Sequence, residues 1–232
     1  LNADTAPVSA TILTEQIQSR RGAAHLEDMI TLAPNVAASS GASRSRFFQI
    51  RGIGERSQLV EPVNPSVGIL LDGIDLSGAG GALTLFDVRQ VEVLRGPQGT
   101  LMGANALAGL IAVQSNGTDS DARDLSVGIE NKGGYRLGAR WGGNLTNSMN
   151  GRISVQQYES DGYVDNDYLN RSDTNSRKEL TARGTLTWAR DTHTLEAAAY
   201  YTRVDNGYDA FSLDNTRATL SDQPGEDDLT LK

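Results

Sequence analysis

Hydrophobic residues are spaced in two ways along this chain, and the change comes near residue 124. Before it, apolar residues arrive in short bursts separated by glycine. The burst Val8–Leu13 predicts a strand, and Thr14 ahead of Glu15, Gln16 and Ile17 predicts a helix N-cap. Leu26, Met29, Ile30 and Ala33 recur at helical spacing and predict a helix over Ala23–Leu32, which Pro34 stops. Phe47–Gly52 and Val67–Ile74 read as strands, with Asp72-Gly73 as a tight turn. Leu85–Val88 reads as a helical turn. Val91–Arg95 reads as a strand with Val91 and Val93 on one face and Glu92 on the other. Gly109–Gln114 is the last strand before a polar stretch, Ser115–Asp124.

After residue 124 apolar and polar residues alternate singly, the period of a strand with two unlike faces. Tyr135–Trp141, Arg152–Tyr158, Leu180–Trp188 and Thr194–Arg203 are the clearest runs. Ala189–His193 reads as a hairpin turn and Glu159–Lys178 as a long polar loop. The result is an antiparallel meander of about five strands, with short turns at one end and longer loops at the other. That pattern fits a transmembrane barrel and equally a soluble barrel or sandwich. Five strands do not close a membrane barrel, whose smallest form has about eight, and an open edge in lipid leaves backbone groups unpaired. The chain also opens at Leu1 without an initiator methionine or signal peptide, and Asp227–Lys232 closes no obvious element. It is therefore expected to be a piece of a longer protein.

Composition narrows the classes. Apolar residues make up 38% and no run approaches the roughly 20 needed for a transmembrane helix; a barrel strand escapes that test. Net charge is -8 with scattered basic residues, so no nucleic-acid partner is expected. The absence of cysteine excludes disulfides and thiolate metal sites. His25 and His193 stand alone, without metal-ligand company, and read as surface or packing residues. Asp72, Asp75 and Asp87 lack a facing carboxylate and read as turn or cap residues, so no catalytic residue is named and no enzyme is expected. Gly96, Gly99, Gly103 and Gly109 lack the spacing of a phosphate-binding loop, and no cofactor or metal is expected.

Residues Phe86–Ile111 carry the most specific pattern: an acidic-aromatic start, then Val91-Glu92-Val93-Leu94-Arg95-Gly96-Pro97, then a glycine-rich segment through Gly103, Ala104, Ala106 and Gly109. This resembles the plug domain of TonB-dependent outer-membrane receptors. Pro7–Ile17, Leu26–Val36, Ile50–Gly54 and Val67–Ile74 resemble further pieces of that plug in the same order. Glu159–Asn166 resembles the end of an early barrel strand. The implied fold is an α+β plug domain over residues 1–120, followed over 121–232 by the first antiparallel transmembrane β-barrel strands of a 22-stranded barrel. The implied function is import of a scarce nutrient, such as a ferric siderophore, haem, cobalamin or oligosaccharide, across the outer membrane of a Gram-negative bacterium. TonB, with ExbB and ExbD, would energise it through an N-terminal segment not seen in these residues. Outer-membrane lipid and a small-molecule or oligosaccharide ligand are the other implied partners, and a monomer is implied. The alternative is a non-transporting soluble or remnant fragment that binds a ligand or partner.

The resemblance also implies roles for single residues. Arg51 and Arg95, each before a glycine, match arginines that lie between plug and barrel wall and pair with barrel glutamates; the plain alternative is an exposed surface arginine. Gly52, Gly73, Gly96, Pro97, Gly99, Gly103 and Gly109 would shape the plug's turns and close approaches. Ser39–Arg46 and the stretch from Glu55 to Asn64 would be apical loops, where Arg44, Arg46 and Arg56 meet an anionic ligand or simply face solvent. Tyr158, Tyr163, Tyr168 and Tyr208 would suit an aromatic belt, or the strand ends of any β-protein.

Overall fold

The computed structural model describes residues 9–39, 43–56, 62–102, 105–131, 133–209 and 216–232. The chain divides into two compact units, Leu1–Asn116 and Gly117–Lys232.

In the first unit the described elements are β1 (Ser9–Thr14), α1 (Glu15–Arg21), α2 (Leu26–Ile30), β2 (Val36–Ser39), β3 (Phe47–Ile50), β4 (Val67–Leu71), β5 (Ile74–Asp75), β6 (Val88–Arg95), α3 (Gly99–Met102) and β7 (Gly109–Ser115). Five strands form a mixed sheet in the order β1-β6-β7-β4-β5, parallel only between β4 and β7. β2 and β3 pair separately. The glycine-broken bursts are thus sheet strands, and Asp72 and Gly73, both at positive φ, make the tight turn between β4 and β5. Thr14 occupies the α1 N-cap without a side-chain bond, and Gly22 ends the helix in the left-handed conformation.

Two local expectations fail for physical reasons. The second helix is shorter than Ala23–Leu32, because His25 caps it. The Nδ1 of His25 accepts from Glu27 N–H while Asp28 Oδ2 accepts from His25 N–H at 2.9 Å. That closes a capping box and leaves Ala23 and Ala24 outside the helix. Leu85–Val88 is not helical: Val88 N–H donates to Leu85, and Asp87 has φ of 58°, which no right-handed helix uses. The face of β6 that carries Glu92 is also buried. β6 is an interior strand, and Glu92 is 3% exposed, taking a hydrogen bond from Gln90.

The core of this unit holds Leu26, Met29, Ile30, Phe48, Ile50 and Ile69, with Leu110 and Ile111 on β7. Gly109 lets three segments meet: a Cβ there would lie 2.4 Å from Leu94 O and 2.6 Å from Ile50 Cδ1.

In the second unit β8 (Ala122–Ile129), β9 (Tyr135–Thr146), β10 (Met149–Ser160), β12 (Arg177–Arg190), β13 (His193–Tyr208) and β15 (Gly225–Leu231) form a six-stranded antiparallel sheet; β11 (Asp165–Asn166) and β14 (Ala218–Thr219) pair outside it. The expected count of about five is corrected to six among the described residues. β8 starts inside the stretch read as polar, and β15 hides its period behind Glu226, Asp227 and Asp228 while pairing with β13. Two-residue turns at Asn147-Ser148 and Asp191-Thr192 close one end of the sheet, and longer connections close the other. The two hairpins are built from strands of 12 to 16 residues, longer than the typical strand of a soluble domain.

Replacing Gly109 by alanine is expected to destabilise the intact protein by about 1–3 kcal/mol, as overpacking does. Urea unfolding in detergent, followed by hydrogen exchange of β6 and β7 amides, measures it.

Candidate functional site: an apolar band and two plug arginines

The second sheet is inside out relative to a water-soluble one. Along β10, Arg152, Ser154 and Gln156 are 6%, 4% and 7% exposed, while Ile153 and Val155 between them are 53% and 39% exposed. β12 repeats this with Glu179, Thr181 and Arg183 buried. Strand register carries the apolar face sideways. Leu125, Ala139, Val155, Ala182 and Tyr201 lie in one cross-strand row, and Val127, Leu137, Gln157, Leu180 and Arg203 in the next, where polar side chains break the apolar run. Leu125, Val127 and Ile129 are 82%, 72% and 87% exposed. Large apolar side chains exposed in rows across neighbouring strands are not what a water-soluble sheet presents. It matches the lipid-facing surface of a transmembrane barrel, whose other face is polar.

That other face carries charges held by partners. Arg140 donates to both carboxylate oxygens of Asp124 at 2.8 Å across the β8–β9 pair. Asn206 links β13 to β12, accepting from Lys178 N–H and donating to Glu179 Oε1, each at 2.9 Å. No described helix is long and apolar enough to cross a membrane; the strands have the length to do so.

In the first unit, Arg95 closes β6 and is 8% exposed. Its Nε donates to Pro34 O at 3.0 Å and its Nη2 to Thr11 Oγ1 at 2.6 Å. Arg51 follows β3 in a two-residue turn with Gly52, at φ of 55° and 80°, and its N–H donates to Asn35 O at 2.8 Å. The two arginines therefore converge on the Pro34-Asn35 turn. Burial lowers the Arg95 pKa below its ordinary value, and the nearby Arg51 charge lowers it further. Among the described residues neither guanidinium meets a carboxylate.

The other arginines separate. Arg44 is 5% exposed and its Nη1 donates to Glu27 Oε1 at 2.6 Å, so the expectation that it faces ligand is withdrawn. Arg46 is half-buried, bonded to Gly78 O and set over the Phe47 ring at 5.7 Å; its side chain is engaged within the unit. Arg56 is exposed.

Comparison with known proteins fits both units. The TonB-dependent receptor plug domain family matches residues 2–110. The pesticin receptor of Yersinia pestis is 27% identical over 158 residues, 67% of this chain and 23% of that protein. A vitamin B12 transporter of Vibrio vulnificus is 26% identical over 168 residues, 68% of this chain and 26% of its own. The crystal structure of the ferric yersiniabactin uptake receptor of Yersinia pestis superimposes on 98% of this chain and 37% of that one, with a TM-score of 0.81 at 24% identity.

The first unit is a TonB-dependent receptor plug domain. The chain spans about a quarter of the length of the curated relatives just named. The first unit has the plug fold and the second is part of a barrel. The protein belongs to the outer membrane of a Gram-negative bacterium, and the members of its family are transporters, not enzymes.

In the first unit the three aspartates read as turn or cap residues each accept a hydrogen bond, two from main-chain N–H and Asp87 from a side-chain amide. Asp72 Oδ1 accepts from Ser115 N–H at 2.7 Å, Asp75 Oδ1 from Ser77 N–H at 2.8 Å, and Asp87 Oδ1 from Asn116 at 3.0 Å. Gly73 and Gly96 sit at φ of 87° and 99°. Gly99 instead opens α3, so its role as a turn glycine is withdrawn, and Pro97 precedes that helix. Gly103 lies outside the described residues. Tyr163 and Tyr168 are 57% and 66% exposed, while Tyr158 bonds Glu130 and lies 5.3 Å from the Arg136 guanidinium.

Sequence reading missed two buried polar centres. His25 is fully buried: Nε2 lies 3.1 Å from Gly81 O while Nδ1 accepts from Glu27, the bonding of a neutral ring. The receptor's Glu159–Lys178 loop is not simply solvated. Asn166, 1% exposed, donates to Asp209 Oδ2 at 2.8 Å and Ser221 O at 2.9 Å, and Thr219 also donates to Asp209. Helical spacing pointed to Leu26 but gave His25 no role, and nothing local to Asn166 announces partners 43 and 55 residues away.

Burial raises the Glu27 carboxyl, while His25 when charged, Arg44 and the Ser45 N–H together bring it below its ordinary 4.5. A depressed carboxyl stabilises above its unfolded pKa, and the stabilisation disappears as pH falls through the folded value. Protection of α2 amides from hydrogen exchange should therefore drop as pH is lowered past 4.5. Glu27→Gln should remove most of that pH dependence while lowering protection at pH 7.

Proposed function

We propose that the intact protein imports a scarce nutrient across the outer membrane, driven by TonB with ExbB and ExbD. The observation that carries this reading is a plug fold and an inside-out sheet in one chain, a pairing suited to holding a removable stopper within a wet barrel. The cargo is a ferric siderophore, haem, cobalamin or oligosaccharide. A receptor for pesticin, a transporter for vitamin B12 and an uptake receptor for ferric yersiniabactin among its relatives support that range without choosing within it. TonB acts through a segment near the plug's N-terminus, and the working form is a monomer in outer-membrane lipid.

Arg95 and Arg51 hold the plug. The buried Arg95 guanidinium, with the charge of exposed Arg51 near it, needs an anionic partner, since an uncompensated buried charge is costly. Glutamates of barrel strands beyond those described are the partners we assign. Such ion pairs in a wet lumen fix the plug yet part without exposing a large apolar face. Arg56 remains the candidate to meet an anionic ligand.

Deleting the whole gene and supplying single sources of iron, cobalamin or oligosaccharide tests the reading, alongside ligand binding to the purified full-length protein. Loss of growth on one source, with matching binding, is expected. In the complemented strain Arg95→Ala should reduce that growth while leaving ligand binding within about threefold, a difference below 1 kcal/mol. Unchanged growth on every source with no ligand bound would contradict import.

A further inference from the structure

The segment joining plug to barrel is fastened to the barrel's own strands. It starts the second unit at Gly117 and runs to Asp121, just before β8. Arg152 on β10 is 6% exposed, and its Nη1 lies 3.3 Å from Gly117 O, 3.1 Å from Ser120 O and 2.9 Å from Ser120 Oγ. Arg152 stands opposite Gly142 of β9, and Gly142 stands opposite Ala122 of β8. The guanidinium thus passes over β9 to reach the connector. The passage exists because residue 142 has no side chain: a Cβ there would lie 3.1 Å from Arg152 Nη1 and 3.2 Å from Ser120 O. At Gly143 a Cβ would lie 2.8 Å from Asp121 Oδ1, so the connector also presses on the next residue. A second tie comes from β12, where Thr187 Oγ1 accepts from Thr118 Oγ1 at 2.8 Å, with Thr118 itself 7% exposed.

We infer that Arg152, with Thr187, is a clasp that stops a pull on the plug from reaching the barrel. Ala122 is the first residue of β8 and pairs with Gly142. Tension arriving through the connector would load that pair first and peel β8 from β9 one pair at a time. The clasp intercepts the load before Ala122. It spreads the load onto β10 and β12, which lie inside the sheet with neighbours on both sides. The two N–H of Arg152 Nη1 are shared among three acceptors on Gly117 and Ser120, and these charge-assisted bonds yield together, unlike the successive pairs of a strand edge. Arg152 is thus a positioning residue for the connector and touches no cargo in this account.

Single-molecule pulling on the intact receptor in a bilayer, from a handle at the plug's N-terminus, tests it. In the wild type, extension should stop before Gly117. In Arg152→Ala it should continue through β8 and its following turn, adding about 60 Å, the extended length of residues 117–134. Gly142→Val keeps the arginine but blocks its passage and should give the same added length, which covers the case where Arg152→Ala fails to assemble. The heat stability of the barrel, measured without load, should change little in Arg152→Ala, because β8–β9 pairing is untouched there. Extension of the wild type through Gly117 into β8, or equal stopping points in wild type and both variants, would overturn the proposal.

Discussion

Everything in the second unit follows from one requirement: in hydrocarbon, each backbone N–H and C=O must find its partner within the protein. Long antiparallel strands meet it by pairing side by side, and period-two alternation then sorts side chains without further choice. One face takes Leu125, Val127, Ile153 and Val155 to the outside; the other keeps Arg152, Ser154, Gln156 and Arg183 within. In water the same sheet would be upside down. Only a lipid exterior makes the exposed apolar face and the buried polar face favourable together.

The first unit is compact by itself and carries its own core. Leu26, Met29, Ile30, Phe48, Ile69 and Ile111 supply that core, and the Gly109 approach to Leu94 and Ile50 draws its segments together. Charged side chains then do local work. Glu27 and Arg44 join α2 to the segment before β3, His25 caps the helix and reaches Gly81, and Arg95 ties the end of β6 to Pro34 and to β1.

Much of this was legible in the residues because it depends on neighbours in sequence. Alternation located β9, β10, β12 and β13, and Asp72-Gly73 announced its turn. The Val91–Ile111 pattern named the family through backbone needs concentrated in a short stretch. What escaped depends on distant partners. Alternation alone could not say which face meets lipid; that required register across several strands. Arg44 looked like a loop arginine because Glu27 is 17 residues away. Glu92 looked like the polar face of a two-faced strand because nothing local reveals that β6 lies between β1 and β7. Arg152 looked like one more polar position until Gly142 and the connector came beside it.

Which face of the sheet meets lipid is the claim on which the rest stands. Single spin labels at each position from Arg152 to Gln157 in the intact protein, reconstituted in bilayers, would answer it through collision with oxygen, which concentrates in lipid, and with a water-soluble nickel chelate. Labels at Ile153 and Val155 should collide strongly with oxygen and weakly with nickel, and labels at Arg152, Ser154 and Gln156 should show low oxygen collision, giving a period of two. A flat profile, or high nickel accessibility at Ile153 and Val155, would mean that this face is in water and would contradict the account.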